Sequence, residues 1–357
     1  MMKLIVLTDT HLGARNSSNV FREYMKQWFD ALFETSKQES ISEWLHLGDF
    51  FDNRNHIGLQ DIQFVCEYLG PKLVENNIKL TVTVGNHDVH FRNTNKVTSL
   101  SLLESVAPDN VVLIKEPTEV NYGQQKFTLL PWINQENYED AMMLIRTAKD
   151  SIIAGHLEIQ GFKHFRNSPE AEHGLEQTLF KEAKDVWSGH YHHKSKVGNM
   201  QYLGSAFHLT WNDYDDVRGY HIYDTETETL EYFSNTNSLF IRETYIESKD
   251  YTNKESDYAG KFVQLIVEDE DYSKVKLMEV MSQINAYAPL NLEVINRVEF
   301  SMNPIVSEDD VDGNDETIVK STWDYISDCV VQEDIVLKQK IEEIYNKALE
   351  QMYQGEE

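Results

Sequence analysis

The sequence is poor in cysteine, in long apolar runs and in positive charge. Its only two cysteines, Cys66 and Cys329, are too few for a disulfide framework or a cysteine-ligated metal site, so we expect a reducing, intracellular setting. No apolar run approaches membrane-spanning length, and Leu4–Leu7 is too short for the core of a signal peptide. The chain carries 60 acidic and 32 basic side chains, a formal net charge of −28. Broad, nonspecific binding to nucleic acid or to an anionic membrane is therefore disfavoured, and any phosphate-bearing substrate must be attracted locally.

The acidity is uneven along the 357 residues, a length that suffices for one large domain and a smaller one. From Ser301 to the end there are 15 acidic and 4 basic side chains, which indicates a tail distinct from the main domain. We predict a main domain over 1–235, a small α+β domain over 236–300, an acidic linker over 301–316 and a helical tail over 317–357. Two apolar stripes at helical spacing mark this tail: Trp323, Ile326 and Val330, then Leu337, Ile341, Ile344, Tyr345, Ala348 and Met352.

Apolar strands alternate with helical periodicity in the N-terminal part of the chain. Strands are predicted at Lys3–Leu7, Trp44–Leu47 and Leu80–Val84, and apolar residues spaced for one helix face lie between them. Such a βαβαβ order predicts a parallel sheet with right-handed crossovers. Shorter β segments from Val111 to Phe233 predict a second sheet. The expected fold class is therefore α/β, with two packed mixed sheets flanked by helices, followed by the small α+β domain and the helical tail.

Side chains that bind metals follow five of the predicted strands. They form the motifs D-x-H, GD-x-x-D, GNHD, GH and GH-x-H, and supply Asp9, His11, Asp49, Asn86, His156, His190 and His192. The carboxyl ends of the strands are where ligand groups gather in such sheets. Imidazole and oxygen donors without thiolate suit manganese, iron or zinc. Seven donors are too many for one ion, and two metals about 3.5–4 Å apart commonly share a carboxylate, for which Asp49 is the natural bridge.

Taken singly, each of these motifs has an ordinary structural explanation. The GNHD segment is compatible with an Asx turn, and Asp9 after Thr8 with a turn cap. His190 and His192 flank Tyr191 and so point the same way, as two hydrogen-bonded surface histidines also would. These separate explanations do not account for the recurrence of the same arrangement after five strands.

With these motifs the chain resembles the calcineurin-like metallophosphoesterase superfamily. Within it, the chain resembles the SbcD-type nucleases of DNA double-strand-break repair, including the nuclease subunits of the T-even phages. The motifs that carry the resemblance span residues 3–193, and Gln201–Ser205 with the returning strand at Arg218–Tyr220 is similar to a later family segment. The resemblance implies the family's αββα sandwich, followed by a small capping domain and a helical tail.

The resemblance also implies a role for each site residue. One metal ion would be held by Asp9, His11, Asp49 and His192, and the other by Asp49, Asn86, His156 and His190. The ions would be manganese, with magnesium as the alternative. His87 would be the general acid for the leaving oxygen or a phosphate contact. Asp52 would orient His87, although many nuclease relatives carry histidine at that position.

The implied function is a manganese-dependent DNA nuclease, an exonuclease on duplex ends and an endonuclease on single strands. It would act in DNA recombination and repair with an SbcC-like ABC-type ATPase bound by the C-terminal helices, as a homodimer, in the cytoplasm (the host's if phage-encoded). No membrane role is expected. The basic side chains proposed to attract DNA, which are equally explained as solvated surface, are Arg15, Arg54, Lys163, His164 and Arg166.

Two other functions fit the same motifs. A small-molecule or cyclic-nucleotide phosphodiesterase shares the two-metal chemistry, but has no need for the unit after Asn235 or for the apolar tail. The chain also reads Asp52-Asn53-Arg54 where protein phosphatases carry Asp-Arg-Gly. An inactive binding scaffold is the third possibility, and the presence of every ligand position speaks against it.

Overall fold

The computed structural model describes residues 2–166, 168–252 and 254–297. The chain divides into two compact units, Met1–Ile241 and a second unit that begins at Arg242. The predicted linker over 301–316 and helical tail over 317–357, with both apolar stripes, lie outside the described residues, as do residues 298–300 at the end of the predicted α+β domain.

Most strands in the described residues fall within a residue or so of the positions predicted from the apolar pattern, whereas β9 and β13 were not predicted and β15 ends earlier than expected. They are β1 Lys3–Leu7, β2 Glu43–His46, β3 Lys79–Thr83, β4 Val111–Ile114, β5 Thr118–Tyr122, β6 Gln125–Leu130, β7 Ile152–Gly155, β8 Asp185–Ser188, β9 Ser195–Val197, β10 Met200–Tyr202, β11 Gly219–Asp224, β12 Thr229–Ser234, β13 Phe240–Thr244, β14 Phe262–Val267 and β15 Asn291–Asn296.

The first unit contains two six-stranded mixed sheets, which confirms the predicted fold class. The first has the order β12-β11-β1-β2-β3-β4, with β1 to β4 parallel and β11 antiparallel to β1. The second has the order β5-β6-β7-β8-β10-β9, with β6, β7, β8 and β10 parallel. Because side chains alternate along a strand, one face of each sheet meets the other. Fully buried residues from both sheets form this shared core, among them Leu4, Val6, Leu45, Phe127, Leu129, Ile152 and Trp187.

Helices cover the outer faces of the two sheets. The longest, Asn19–Glu39, buries the stripe predicted from its spacing, including Phe21, Tyr24, Met25, Trp28 and Leu32. The second predicted helix is present in three parts, because its middle turn widens to a π-helix: Leu59–Phe64, Val65–Leu69 and Gly70–Glu75. The remaining helical segments of the first unit, which the sequence reasoning did not place, are Ala14–Ser17, Ser101–Val106, Tyr138–Thr147 and the 3-10 turns Gln177–Phe180 and Trp211–Asp213.

The second unit is small and α+β, as predicted, but has one strand more than expected. Its sheet has the order β13-β14-β15, with β14 and β15 parallel. Helix Lys274–Ala286 connects these two strands, and a short helix, Glu255–Tyr258, precedes β14. The helix buries Leu277, Val280 and Ile284. In the portion of the chain described here, no helix combines the length and the apolar character that crossing a bilayer requires.

Candidate metal centre

All seven predicted ligands come together at the carboxyl ends of strands from both sheets of the first unit. Two groups of their histidine and carboxylate ligand atoms, Asp9 with His11 and His192 and Asp49 with His156 and His190, each lie within 4.8 Å of one another. A third group of the same kind joins His11 to Asp52 and His87. We call Asp9, His11 and His192 the first half of the centre, and Asn86, His156 and His190 the second half. Asp49 lies between the halves.

In the first half, the two imidazole rings direct Nε2 atoms at each other. His11 Nε2 and His192 Nε2 lie 3.1 Å apart, and each lies 4.0 Å from Oδ1 of Asp9. The Asp9 carboxylate is itself held in place, because its oxygens accept hydrogen bonds from the Thr8 hydroxyl at 2.6 Å and the His190 amide at 3.1 Å. Three donors thus surround one point, as ligands around a cation do.

In the second half, a main-chain contact orients the central histidine. His156 Nδ1 lies 2.8 Å from the carbonyl oxygen of Leu47, which can only accept, so Nδ1 carries the proton. Its Nε2, which is left for a metal ion once that atom loses its own proton, lies 2.9 Å from Oδ1 of Asn86 and 3.2 Å from Oδ2 of Asp49. A main-chain partner behind a ligating imidazole is the usual arrangement in metal sites.

The two carboxylate oxygens of Asp49 have different partners. Oδ1 accepts a hydrogen bond from the His87 amide at 2.8 Å. Oδ2 lies 3.2 Å from His156 Nε2 and 3.9 Å from His11 Nε2, and so faces both halves at once. This is the geometry expected of a carboxylate shared between two ions.

The electrostatics of the cluster favour positive charge. Burial alone would lower the pKa of His11 and His156, yet the Asp52 and Asp49 carboxylates beside His11, and Asp49 beside His156, raise the pKa of each to about 9. A site that holds a proton this strongly also attracts cations. Converging oxygen and imidazole donors without a sulfur ligand complete the fit to two divalent metal ions.

The backbone is strained where it presents these ligands. Asp9, His11, Asp49 and His190 all have positive φ, at 52°, 47°, 54° and 85°. Non-glycine residues rarely adopt this region, and such strain concentrates at functional sites. The sequence does not directly indicate these positive φ angles, because glycine or asparagine is the residue usually found in that conformation.

The glycines that precede the ligands allow the close approach of neighbouring loops. A Cβ atom on Gly85 would lie 2.2 Å from the Asp49 amide nitrogen, and one on Gly48 would lie 2.5 Å from His156 Nδ1. A larger residue at position 85 would displace Asp49, and one at position 48 would displace His156. Close packing of the neighbouring loops therefore explains the glycine in both the GD and the GNHD motif.

His87 and Asp52 lie beside the first half, and the contact between them differs from the expected one. His87 Nδ1 lies 2.6 Å from the main-chain carbonyl oxygen of Asp52, so the backbone and not the carboxylate orients the ring. The Asp52 carboxylate instead faces Nδ1 of His11, with Oδ1 at 3.3 Å. Asp52 therefore has two separate contacts, one for each histidine.

A buried carboxylate that the sequence reasoning missed lies behind His192. Asp213 Oδ1 is 3.8 Å from Nδ1 of His192 and 2.9 Å from the fully buried Arg218 guanidinium, which also contacts Asp216 at 2.9 Å. Burial would raise the pKa of Asp213, but His192 and Arg218 hold it well below its usual range. No strand precedes Asp213, so the pattern that revealed the ligands is absent from its surroundings.

Two further residues were missed although they stand next to recognised motifs. Asp88, the last residue of GNHD, is buried and accepts hydrogen bonds from the Gly85, Phe50 and Phe51 amides, which ties the Asn86 loop to the Asp49 loop. Burial, with Asp49 adding to it, raises the pKa of Asp88 to about 6. Trp132 follows β6 at the same edge of the sheet as the ligands.

The basic residues predicted to contact DNA are dispersed around the centre. Arg15 Nε donates to the Leu209 carbonyl at 3.1 Å, and Arg166 donates to the Asp215 carbonyl at 2.5 Å. The His164 ring lies 5.9 Å from that of His190, and burial lowers its pKa. Lys163 and Arg54 are both half-buried, and the backbone of Lys163 forms an isolated antiparallel β-bridge with that of Glu170. Their DNA role stays a prediction.

Comparison with known proteins agrees with the motifs. Residues 2–225 match the calcineurin-like phosphoesterase family. Over 352 residues the chain is 30% identical to exonuclease subunit 1 of Enterobacteria phage T4, covering 97% of this chain and 99% of that one. Among solved structures, nuclease MPE of Pseudomonas putida is 14% identical over 64% of this chain and 87% of its own, with a TM-score of 0.31. A dimetal phosphatase from Danio rerio is 10% identical over 62% of this chain and 91% of its own, with a TM-score of 0.37.

The family match and the identity along nearly the whole chain confirm the predicted resemblance. Members of this family use a dinuclear metal site, which agrees with the two groups of donors. The chain belongs to the calcineurin-like phosphoesterase family and is a metal-dependent phosphodiester hydrolase.

Proposed function

We propose that the protein is a manganese-dependent DNA nuclease, an exonuclease on duplex ends and an endonuclease on single strands, and a subunit of an ATPase–nuclease complex in DNA recombination and repair. The family match ends at residue 225, whereas the similarity to the T4 exonuclease subunit covers 97% of the chain. The part beyond the catalytic domain is therefore similar to a nuclease subunit, and this observation carries the choice of DNA over a small phosphodiester.

The proposed ligand sets follow from the two halves. Asp9, His11 and His192 with Asp49 would hold one ion, and Asn86, His156 and His190 with Asp49 the other. Their mixed imidazole and oxygen donors suit manganese, with magnesium as the alternative. Two such ions, when bound, supply Lewis-acid polarisation of the phosphodiester and lower the pKa of water.

His87 is the proposed proton donor to the leaving oxygen. Its Nδ1 donates to the Asp52 carbonyl, which fixes the ring and leaves Nε2 as the atom that can deliver a proton. The ring lies 5.0 Å from that of His11, beside the first half and outside the proposed ligand sets. His87 is half-buried and so retains contact with solvent.

The remaining parts of the proposal concern assembly and place of action. The similarity to a protein named as a subunit supports a partner, which we propose to be an SbcC-like ABC-type ATPase bound by the helical tail over 317–357. We also propose a homodimer formed through helices between Asp61 and Val106. The DNA substrate and the phage relative support action in the cytoplasm, the host's if phage-encoded.

A substrate comparison tests the nuclease proposal. The purified chain would be incubated with manganese and, separately, with labelled duplex DNA, single-stranded DNA, a cyclic nucleotide and a phosphomonoester. We expect cleavage of both DNA substrates and slow turnover of the others, with magnesium supporting less activity than manganese. Turnover of the cyclic nucleotide with intact DNA would identify a small-molecule phosphodiesterase and refute the proposal.

A further inference from the structure

We infer that Trp132 is a substrate-contacting residue that stacks on a nucleobase next to the scissile phosphate. The inference rests on the proposed nuclease function and adds to it a base-binding surface on the second half. It starts from an aromatic ring that none of the proposed catalytic steps uses.

Trp132 is placed at the metal centre by its position in the chain. It lies two residues after β6, whose carboxyl end points to the same edge as β7 and β8, which precede His156 and His190. The indole centroid is 5.2 Å from the His190 ring and 6.0 Å from the His156 ring. A base carried on the phosphodiester bound by the second half would therefore lie within reach of this ring.

The exposure of Trp132 distinguishes it from core tryptophans. Trp44 and Trp187 are 1% and 0% exposed and fill the interior, whereas Trp132 is only partly buried. Its aromatic ring contacts in the described part of the chain are with His156 and His190, both proposed ligands, so this partly exposed indole borders the centre. A large ring left half-covered beside a catalytic site is available for stacking.

The segment that carries Trp132 is held rigidly. The Trp132 amide donates to the Val84 carbonyl at 2.6 Å, which connects it to the end of β3 just before the Asn86 loop. Its carbonyl accepts from the amide groups of Asn95 at 2.9 Å and Asn137 at 3.1 Å, and both asparagines are 2% exposed. This buried network fixes the main chain from which the ring projects, and a binding residue requires such a rigid support.

Stacking also fits the electrostatics of the chain. With a net charge of −28, the chain as a whole offers backbone phosphates little electrostatic attraction. Stacking on a base is independent of charge and tolerant of sequence, because every base has a π-face. It would supply DNA affinity that the acidic surface does not.

A pair of matched substrates tests this role. The full-length chain with manganese would be given single-stranded oligothymidylate and an oligonucleotide of the same length made of abasic tetrahydrofuran nucleotides. Trp132→Ala, Trp132→Phe and the control Tyr138→Ala, an exposed aromatic residue on helix Tyr138–Thr147, would be compared with the unmodified protein in kcat/KM and in bound manganese. Base–aromatic stacking predicts a loss of about five- to hundredfold for Trp132→Ala on oligothymidylate.

The inference requires that this loss be confined to the base-bearing substrate. Cleavage of the abasic strand and the manganese content should be unchanged in Trp132→Ala, Trp132→Phe should recover most of the activity, and Tyr138→Ala should match the unmodified protein. An equal loss on both substrates, or a loss of manganese, would make Trp132 a packing residue for His156 and His190 and overturn the inference. No loss would also overturn it. An unmodified protein that hydrolyses a chromogenic phosphodiester but no DNA would instead refute the proposed function, and this inference with it.

Discussion

The two halves of the metal centre use the same kinds of ligand but orient them differently. In the second half, Nδ1 of His156 faces a main-chain carbonyl, that of Leu47. In the first half, Nδ1 of His11 faces the Asp52 carboxylate at 3.3 Å, and Nδ1 of His192 faces the Asp213 carboxylate at 3.8 Å. His156 is thus hydrogen-bonded to neutral backbone, whereas His11 and His192 each have a carboxylate near Nδ1 without a hydrogen bond to it.

This difference has a consequence for how each half can be altered. The Leu47 carbonyl belongs to the chain itself and survives any side-chain substitution, whereas Asp52 and Asp213 can each be replaced. Partners behind a ligating histidine typically change metal affinity by about 10- to 100-fold when mutated. We therefore expect Asp52 and Asp213, which are outside the proposed ligand set, to tune the metal affinity of the first half.

The largest effect is expected where the halves meet. Asp49→Asn replaces an anionic oxygen that faces both halves by a neutral amide, so we expect loss of metal from both halves and of all measurable hydrolysis. Bound manganese per chain and cleavage of labelled DNA are the measurements, with His190→Ala as a comparison that should affect the second half first. Near-normal manganese content with full activity in Asp49→Asn would contradict a shared carboxylate.

Much of this centre could be predicted from sequence because parallel strands share an edge. Asp9, Asp49 and Asn86 follow consecutive apolar strands, so a reader of the sequence can place them together without knowing any distance. The same reasoning placed His156 and His190 from a second series of strands. It depends on local pattern and succeeds wherever a ligand stands directly after a strand.

The missed features have no such local pattern. Asp213 ends a 3-10 turn that no strand precedes directly and reaches His192 only through the fold, and the buried Arg218 that pairs with it looks like a surface charge in the sequence. The carbonyl of Leu47 is invisible in a sequence because every residue has one. Trp132 did follow a strand, but an aromatic residue there is equally typical of a core. The left-handed backbone at Asp9 and Asp49 is imposed by tertiary contacts.

The second largest effect is expected for the proposed proton donor, which lies beside only one of the two halves. His87 lies beside the first half, and His87→Asn should leave both halves with their metal while slowing cleavage by about 10²- to 10⁴-fold, the usual contribution of a general acid. The measurements are single-turnover cleavage and manganese content. Loss of metal in this variant would make His87 a ligand and would assign it to the first half.

A smaller effect separates the halves directly. Asp213→Asn removes the negative charge behind His192 and should weaken manganese binding to the first half by about 10- to 100-fold, with the second half unchanged. Stepwise titration with manganese followed by calorimetry should then show one weakened site and one normal site.

Asp216→Asn is the matched control for this variant. Asp216 is paired with the same buried Arg218 at 2.9 Å, but its carboxylate contacts His193 at 2.8 Å and not a proposed ligand. Both substitutions should lower the stability of the fold, since each leaves Arg218 with a single carboxylate partner. If the control weakens one metal site as much as Asp213→Asn does, the effect arises from the Arg218 cluster and the proposed orientation of His192 is wrong.

The smallest effect is expected at the other carboxylate of the first half. The Asp52 side chain is 36% exposed, so water screens its contact with His11 more than it screens the buried Asp213 contact. Asp52→Asn should therefore weaken manganese binding by about tenfold or less, at the low end of the range for such partners. The main-chain carbonyl that orients His87 is kept in this variant, so the cleavage rate at saturating manganese should be nearly unchanged. Single-turnover cleavage across a range of manganese concentrations measures both the manganese affinity and the cleavage rate.

The opposite outcome would be an Asp52→Asn variant that behaves like His87→Asn, with metal retained and the rate greatly lowered. The Asp52 carboxylate, and not its main-chain carbonyl, would then be the group that orients His87. The two halves would then differ in proton delivery and not in how their histidines are oriented.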